Sequence, residues 1–493
     1  MSELVNNKQK DTKKFYAVLA IGILMMLVIG NLPTFGDVTR IGMRLLGIFA
    51  GCIFMWLFGY LGIGGFIGIL AIALYVPGNV GNAVFPSVFG NFNLVMVFFC
   101  LVFVYGLQQS GVLNYIAALI LSTKFATKSP WHLAVAFWIT GIVTGAIITN
   151  SLAATLLLFG ILYSTADRIG MERRSNYTAF VIIVTATFTT LACALLPYSP
   201  TLLVPIGIMQ ATAPELAGTA LPMAQILLCN WVLVLVALVV AAVLLKVLLA
   251  SGYLKVSFEL CADEKIVNDE DLKLTKRVKW GFFYVVAIIL IIVGTSVVPT
   301  TTALGALLTK LGLIGSFLIV IAMMCFTTVD GERMINIEDA VKNGVPWGLY
   351  FMLAAALTLA GSISKADAGV MSTVSSFATT HLSSSSNFVF VFGVLVFTLI
   401  LTNCINNVVA QQLVVPLITI VMISQGLNPV LIIGMVAIVV DHGNVMPSGS
   451  PIGAYMHGNS EWMSSKQVYL YATLGSICAI VGLLVAVPLA MML

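Results

Sequence analysis

Two short polar clusters, Thr149-Asn150-Ser151 and Asn403-Cys404-Ile405-Asn406-Asn407, interrupt long apolar stretches of the chain. Neither cluster contains Lys or Arg. Asn amides and Thr or Ser hydroxyls donate to carboxylate oxygens or accept around a cation. If a helix begins at each cluster, its free N–H groups and positive dipole end act on the same anion. Beyond each cluster the sequence carries a second irregularity, LLPYSPTLLVP at 195–205 and NVMPSGSPIGAY at 444–455. Pro and Gly at these places break a helix and free backbone carbonyls near Pro200 and Pro451, which can hold a sodium ion. The candidate anion contacts are therefore Thr149, Asn150, Ser151, Asn406, Asn407, Val408, Ser199, Pro200, Thr201, Ser450 and Pro451. Thr149, Asn150 and Asn407 are also candidate sodium ligands. The plainer reading makes each cluster a helix N-cap and each Pro a kink. Asp441 and His442 form the one adjacent acid–His pair inside an apolar run. An ionisable residue at membrane depth suggests coupling or proton transfer, and its alternative is a buried structural pair.

These groups need elements to position them. Of the 493 residues, 60% are hydrophobic and 9% charged. Soluble domains carry about 25% charge, so the solvent of this chain is mostly lipid. A spanning helix takes about 20 apolar residues. Eleven stretches qualify: 15–32, 41–58, 60–77, 92–108, 176–196, 222–249, 281–298, 310–328, 345–361, 428–446 and 468–492. Two more apolar segments, 130–165 and 387–424, are about twice the needed length, and each is interrupted midway by a polar cluster. They read as re-entrant helical hairpins with the clusters at their tips. The expectation is an all-α polytopic membrane protein of about eleven transmembrane helices plus two hairpins. Residues 111–126 read as an amphipathic helix at the interface.

Lys and Arg orient the chain, since they collect in cytoplasmic loops. Lys124 and Lys128 precede the first hairpin and Arg168, Arg173 and Arg174 follow it, so both its ends are cytoplasmic. With Lys8, Lys10, Lys13 and Lys14 also inside, only Arg40, Arg44, Lys310 and Lys365 of the 23 basic residues fall outside. The first apolar run lacks a cleavage site and is read as a retained span. Residues 1–250 form one half with a cytoplasm-facing hairpin, 251–279 a charged cytoplasmic linker, and 280–493 a second half with an outward-facing hairpin. The halves repeat with opposite topology, which places a substrate site at the midplane and suggests rigid-body, elevator-type transport. Asp263 to Lys279, Asp330 to Arg333 and Ser383 to Ser386 read as solvated loops.

At its tips the chain resembles the divalent anion:sodium symporters, transporters of di- and tricarboxylates or sulfate. That family carries Ser-Asn-Thr at each tip, nine residues before a Pro. Here Asn407 lies nine residues before Pro416 in INNVVAQQLVVPL, and Thr149-Asn150-Ser151 matches the first tip. VKNGVPWGLYFMLAAALTLAGSISKADAG (341–369) is similar to a family span, and MPSGSPIG (446–453) to its L-P-x-A-T-P-P-N turn. The resemblance implies a homodimer with a static scaffold and a moving transport domain. The second tip departs from the pattern, with Asn406 in place of Ser and Val408 in place of Thr. Tyr198-Ser199-Pro200-Thr201 and Gly449-Ser450-Pro451-Ile452 depart from the turn. The loss of a hydroxyl points to weakened or absent sodium dependence, with proton coupling or anion exchange instead.

Other classes fit poorly. Basic residues are scattered rather than gathered on one face, which argues against nucleic acid. The four His residues (132, 381, 442 and 457) show no H-E-x-x-H spacing, and neither G-x-S-x-G nor a phosphate-binding loop occurs. Of eight Cys residues, seven lie in apolar runs and Cys261 in a charged loop; no C-x-x-C is present. The reading is a non-enzymatic secondary transporter in the inner (plasma) membrane, with its N-terminus in the cytoplasm. The sequence calls for no cofactor, with sodium ions as candidate coupling ions. Its cargo is a small organic anion, a di- or tricarboxylate, or alternatively an inorganic ion, as sulfate or in sodium/proton antiport.

Overall fold

The computed structural model describes residues 2–79, 81–216, 221–258, 272–374, 376 and 387–493. Residues 259–271 of the charged linker, Cys261, His381 and the Ser383–Ser386 stretch lie outside the described residues. The protein is an all-α polytopic membrane protein. Among the described residues, eleven helices are long and apolar enough to cross a membrane, or twelve if one bent pair is a single span. The only strands among them, Thr328–Val329 and Glu332–Arg333, pair over two residues.

The long helices are not the same eleven stretches that the apolar runs suggest. Three expected spans form shorter helices: Leu61–Tyr75, Trp347–Ile363 and Val430–Asp441. Of the four helices that flank the two polar clusters, Pro130–Ile148, Asn387–Cys404 and Asn407–Ser424 are themselves long and apolar enough. The fourth, Ser151–Arg168, carries Ser164, Thr165, Asp167 and Arg168 in its last turns. Side-chain caps fix where helices begin: Thr39, Asn91, Ser129, Ser175, Thr275, Thr302 and Ser464 each accept from a backbone N–H one turn on. A missing cap costs about 1 kcal/mol. The expected interfacial helix is Val112–Leu121. Helix Ala303–Phe326 is interrupted at Gly312, whose φ of 59° is open to glycine without a Cβ penalty.

Packing divides the helices into two groups. In one, Ser2–Gly30, Arg40–Leu57, Leu61–Tyr75 and Trp347–Ile363 pack together. Phe92–Gln109, Lys276–Val297 and Ala303–Phe326 pack in series beside them. In the other, the two 28-residue helices Met223–Ala250 and Ser465–Met492 pack against each other and enclose Asn176–Leu191. From Tyr177 to Leu191 every side chain of that helix is buried. Its Thr hydroxyls are satisfied along the helix: Thr185 donates to the Val181 carbonyl at 2.7 Å and Thr189 to that of Thr185 at 2.8 Å. The second group also contains both tip-bearing helix pairs and both broken helices. Pro200–Thr212, which follows the first break, packs against Val430–Asp441, which precedes the second.

Candidate functional site

At the first tip, Pro130–Ile148 ends and Ser151–Arg168 begins with only Thr149 and Asn150 between them. Thr149 reverses the chain in the left-handed region, at φ 51°, and its N–H donates to the Gly145 carbonyl at 2.9 Å. A branched residue at positive φ is strained, which is a mark of functional sites. Asn150 caps the next helix by accepting from the Ala153 N–H at 3.1 Å. The first broken helix runs Asn176–Leu191, a short turn at Ala192–Ala194, then Pro200–Thr212. Ser199 caps the last piece, with Pro200 at its first position, where Pro costs nothing. Thr201 Oγ1 donates to the Thr149 carbonyl at 3.4 Å, joining break to tip.

The second tip is bound more tightly to its break. Asn406 caps Asn407–Ser424 by accepting from the Val408 N–H at 3.0 Å. The Asn407 N–H donates to the Gly449 carbonyl at 3.2 Å. Its side-chain amide donates to the Asp441 carbonyl at 3.0 Å and to Asp441 Oδ1 at 3.4 Å. Asn407 Oδ1 accepts from Thr402 at 2.9 Å. Asn403 Oδ1 accepts from the Val445 N–H at 2.8 Å, and its amide donates to the His442 carbonyl at 3.2 Å. Backbone meets backbone here because glycine permits it. A Cβ on Gly443 would overlap Asn407 Oδ1, and one on Gly449 would lie 2.6 Å from the Gly443 carbonyl. Ser450 caps Pro451–Gly458, accepting from Gly453 at 3.0 Å and donating to Asn444 Oδ1 at 3.1 Å.

Both tips and both breaks reach one cavity of about 460 Å³, a volume typical of small-molecule sites. Thr149, Asn150, Ser151, Pro200, Thr201, Asn406, Asn407, Val408, Asp441 and Pro451 all line it. Ser199 and Ser450 do not line it; they act as helix caps behind it. The opposite wall belongs to the other helix group and includes Tyr105, Gln108, Asn343 and Pro346. Sequence reasoning misses this wall, because 345–361 reads as one plain span. In the structure Ile337–Gly344 and Trp347–Ile363 meet at 74°. The signal was Pro346, which disfavours helix at the preceding residue. Tyr105 donates to Asp339 Oδ2 at 2.5 Å, and Asn343 to Asp339 Oδ1 at 2.5 Å.

Among the described residues lining this cavity, Asp441 is the one that carries a charge. Ser151 from the first tip donates to its Oδ1 at 3.4 Å, and Asn407 from the second does so at 3.4 Å. Its Oδ2 is buried without a hydrogen-bond partner among the described residues, and so is Thr149 Oγ1. An unpaired buried carboxylate oxygen is costly, so this site suits a proton or a cation. Of the candidate sodium ligands, Thr149 keeps a free hydroxyl oxygen. Asn150 and Asn407 spend their carbonyl oxygens on Ala153 and Thr402. His442 parts company with its neighbour. It is fully buried and lies outside the cavity lining. Its Nδ1 lies 3.2 Å from Thr190 Oγ1 and its Nε2 3.0 Å from Ser476 Oγ, which fits the structural reading of that residue.

Residues 12–440 match the family described as citrate transporter, CitMHS. The chain belongs to the citrate transporter family. It is therefore a membrane transport protein, and citrate, the substrate in the family's description, is a tricarboxylate, within the class expected from the tips. Among solved structures the chain is similar to the YdaH transporter of Alcanivorax borkumensis, whose crystal structure is described as having an unusual topology. The TM-score is 0.57 at 12% identity, covering 92% of this chain and 98% of that one. At that identity the likeness concerns the fold. No curated protein matches the chain.

Proposed function

We propose that this citrate transporter family member is a secondary active transporter that carries a citrate-like di- or tricarboxylate together with positive charge held at Asp441. The observation that carries this reading is the charge of the cavity. Among the described residues that line it there is no Lys or Arg, and the one charged group is itself a carboxylate. Two like charges repel strongly in a site of low dielectric. An anion therefore binds there well only when a proton or a bound cation neutralises Asp441. This requirement ties anion movement to cation movement. Donors for the substrate carboxylates come from the unengaged Thr149 hydroxyl and the free N–H groups at the two helix starts.

In this reading the two tip-bearing helix pairs are re-entrant hairpins, the first opening to the cytoplasm and the second to the outside. The group containing them moves as a rigid body against the other group, in a homodimer of the plasma membrane with cytoplasmic N-termini. The cavity lies between the two groups, where such a movement would carry it across. Citrate uptake into proteoliposomes tests the function. Sodium, choline, an imposed pH gradient and internal citrate distinguish sodium symport, proton coupling and exchange. A second reading, sodium/proton antiport, is favoured by the same lone carboxylate. It predicts cation exchange that citrate neither requires nor alters.

A further inference from the structure

Gln411 stands one turn beyond Asn407 on helix Asn407–Ser424, so the two share a face, and both line the transport cavity. The tip asparagines have already committed their amide oxygens. Asn150 accepts from the Ala153 N–H, Asn406 from the Val408 N–H and Asn407 from the Thr402 hydroxyl. Gln411 differs from all three. It is 8% exposed, and no described residue forms a hydrogen bond with its side-chain amide. Neither atom of that amide is shut in by protein, whereas Nε2 of the adjacent Gln412 is. A buried polar group ordinarily has a partner, so an amide that lacks one and opens on a cavity is placed for a ligand.

We propose that Gln411 reads a hydroxyl on the substrate, so that the cavity selects 2-hydroxycarboxylates over carboxylates that lack the hydroxyl. The inference deepens the transport reading above and rests on it. A side-chain amide presents an acceptor oxygen and two N–H donors. A bare carboxylate uses only the donors and leaves Oε1 facing an anion. A carbon that bears both a hydroxyl and a carboxylate satisfies both ends. Its O–H donates to Oε1, and its carboxylate accepts from Nε2. Citrate has this pair on its central carbon. The Thr149 hydroxyl and the helix-start N–H groups are left for the other carboxylates. A site built to pair with a hydroxyl rejects the analogue without one, because its own buried group is then unpaired.

The test is inhibition of labelled citrate uptake into proteoliposomes by unlabelled citrate and by tricarballylate, which has the same three carboxylates and no hydroxyl. In the unsubstituted protein, tricarballylate should need a concentration about ten-fold higher than citrate, the worth of one such hydrogen bond. Gln411→Met keeps much of the shape and removes the amide. It should weaken citrate more than tricarballylate and bring the ratio close to one. Gln411→Asn withdraws the amide by one methylene; it should lower the ratio less, and it serves if the Met variant fails to fold. Loss of packing alone would weaken both inhibitors together and leave the ratio in place. Equal inhibition by the two anions in the unsubstituted protein, or a ratio that neither variant lowers, overturns the role of Gln411 and leaves the transport reading standing. Absence of citrate uptake in the unsubstituted protein overturns the transport reading, and the role of Gln411 falls with it.

Discussion

The two tips stand at corresponding places in the two halves, yet they are held in different ways. The first is strained and lightly tied. Thr149 sits at positive φ, and the described bonds from its break are those of Thr201 to the Thr149 carbonyl and of Tyr198 to the Ile147 carbonyl. The second is locked to its break by Asn403, Asn407 and the Gly443–Gly449 backbone approach. The locked side also supplies Asp441, with Asn407 holding both its carbonyl and its carboxylate. The first side supplies hydroxyls, of which Thr149 Oγ1 is unengaged. The second tip thus holds a carboxylate in place, and the first carries a hydroxyl that no described group engages.

The largest effect of breaking this arrangement is expected at Asn407. Asn407→Ala removes three hydrogen bonds at once, leaving Thr402 with the Val440 carbonyl alone and the Asp441 carboxylate with Ser151 alone. Citrate uptake should fall to background, and the thermal midpoint should drop, since a buried unpaired polar group costs about 1–3 kcal/mol. Uptake and a midpoint both at the unsubstituted level would show that the second tip is not locked as described. Gly443→Ala comes next, because its new methyl overlaps Asn407 Oδ1. It should lower the turnover number more than it raises KM, as the tip is displaced rather than emptied. An effect confined to KM would contradict that.

At the first tip the expected losses are smaller. Asn150→Ala removes a helix cap worth about 1 kcal/mol and frees the helix start that faces the cavity. Uptake should fall several-fold, with Asn150→Asp restoring stability but not uptake, because a carboxylate at the tip repels the anion. Recovery of transport in the Asp variant would remove the anion from this tip. Ser151→Ala should cost least, since its bond to Asp441 is long at 3.4 Å. A KM increase of about two- to ten-fold, corresponding to one modest hydrogen bond, is expected from uptake kinetics.

Much of this was legible in the sequence. The tips and both breaks follow from polar clusters and Pro–Gly runs, and nine of the eleven candidate anion contacts line one cavity. Three things were not legible. The wall formed by Tyr105, Gln108 and Asn343 joins the end of helix Phe92–Gln109 to the polar stretch 337–344, which meets Trp347–Ile363 at 74° and lay outside the expected spans. The separation of Asp441 from His442 depends on which way each faces after helix Val430–Asp441 ends, and no periodicity reports that. Asn407 reads as a substrate ligand from its position, yet its amide is committed to Asp441 because Gly443 and Gly449 let the break approach it. Such facts belong to tertiary packing, where residues far apart in sequence share one hydrogen bond.

Asp441 carries the central claim, that anion movement is tied to positive charge at one carboxylate. Asp441→Asn keeps the shape and the amide contacts of the site while removing its charge. Citrate uptake into proteoliposomes should be compared between this variant and the unsubstituted protein, with and without imposed proton and sodium gradients. The account predicts that the variant still exchanges citrate for internal citrate but no longer accumulates it under any gradient. Gradient-driven accumulation by Asp441→Asn, with the ion dependence of the unsubstituted protein, would contradict it.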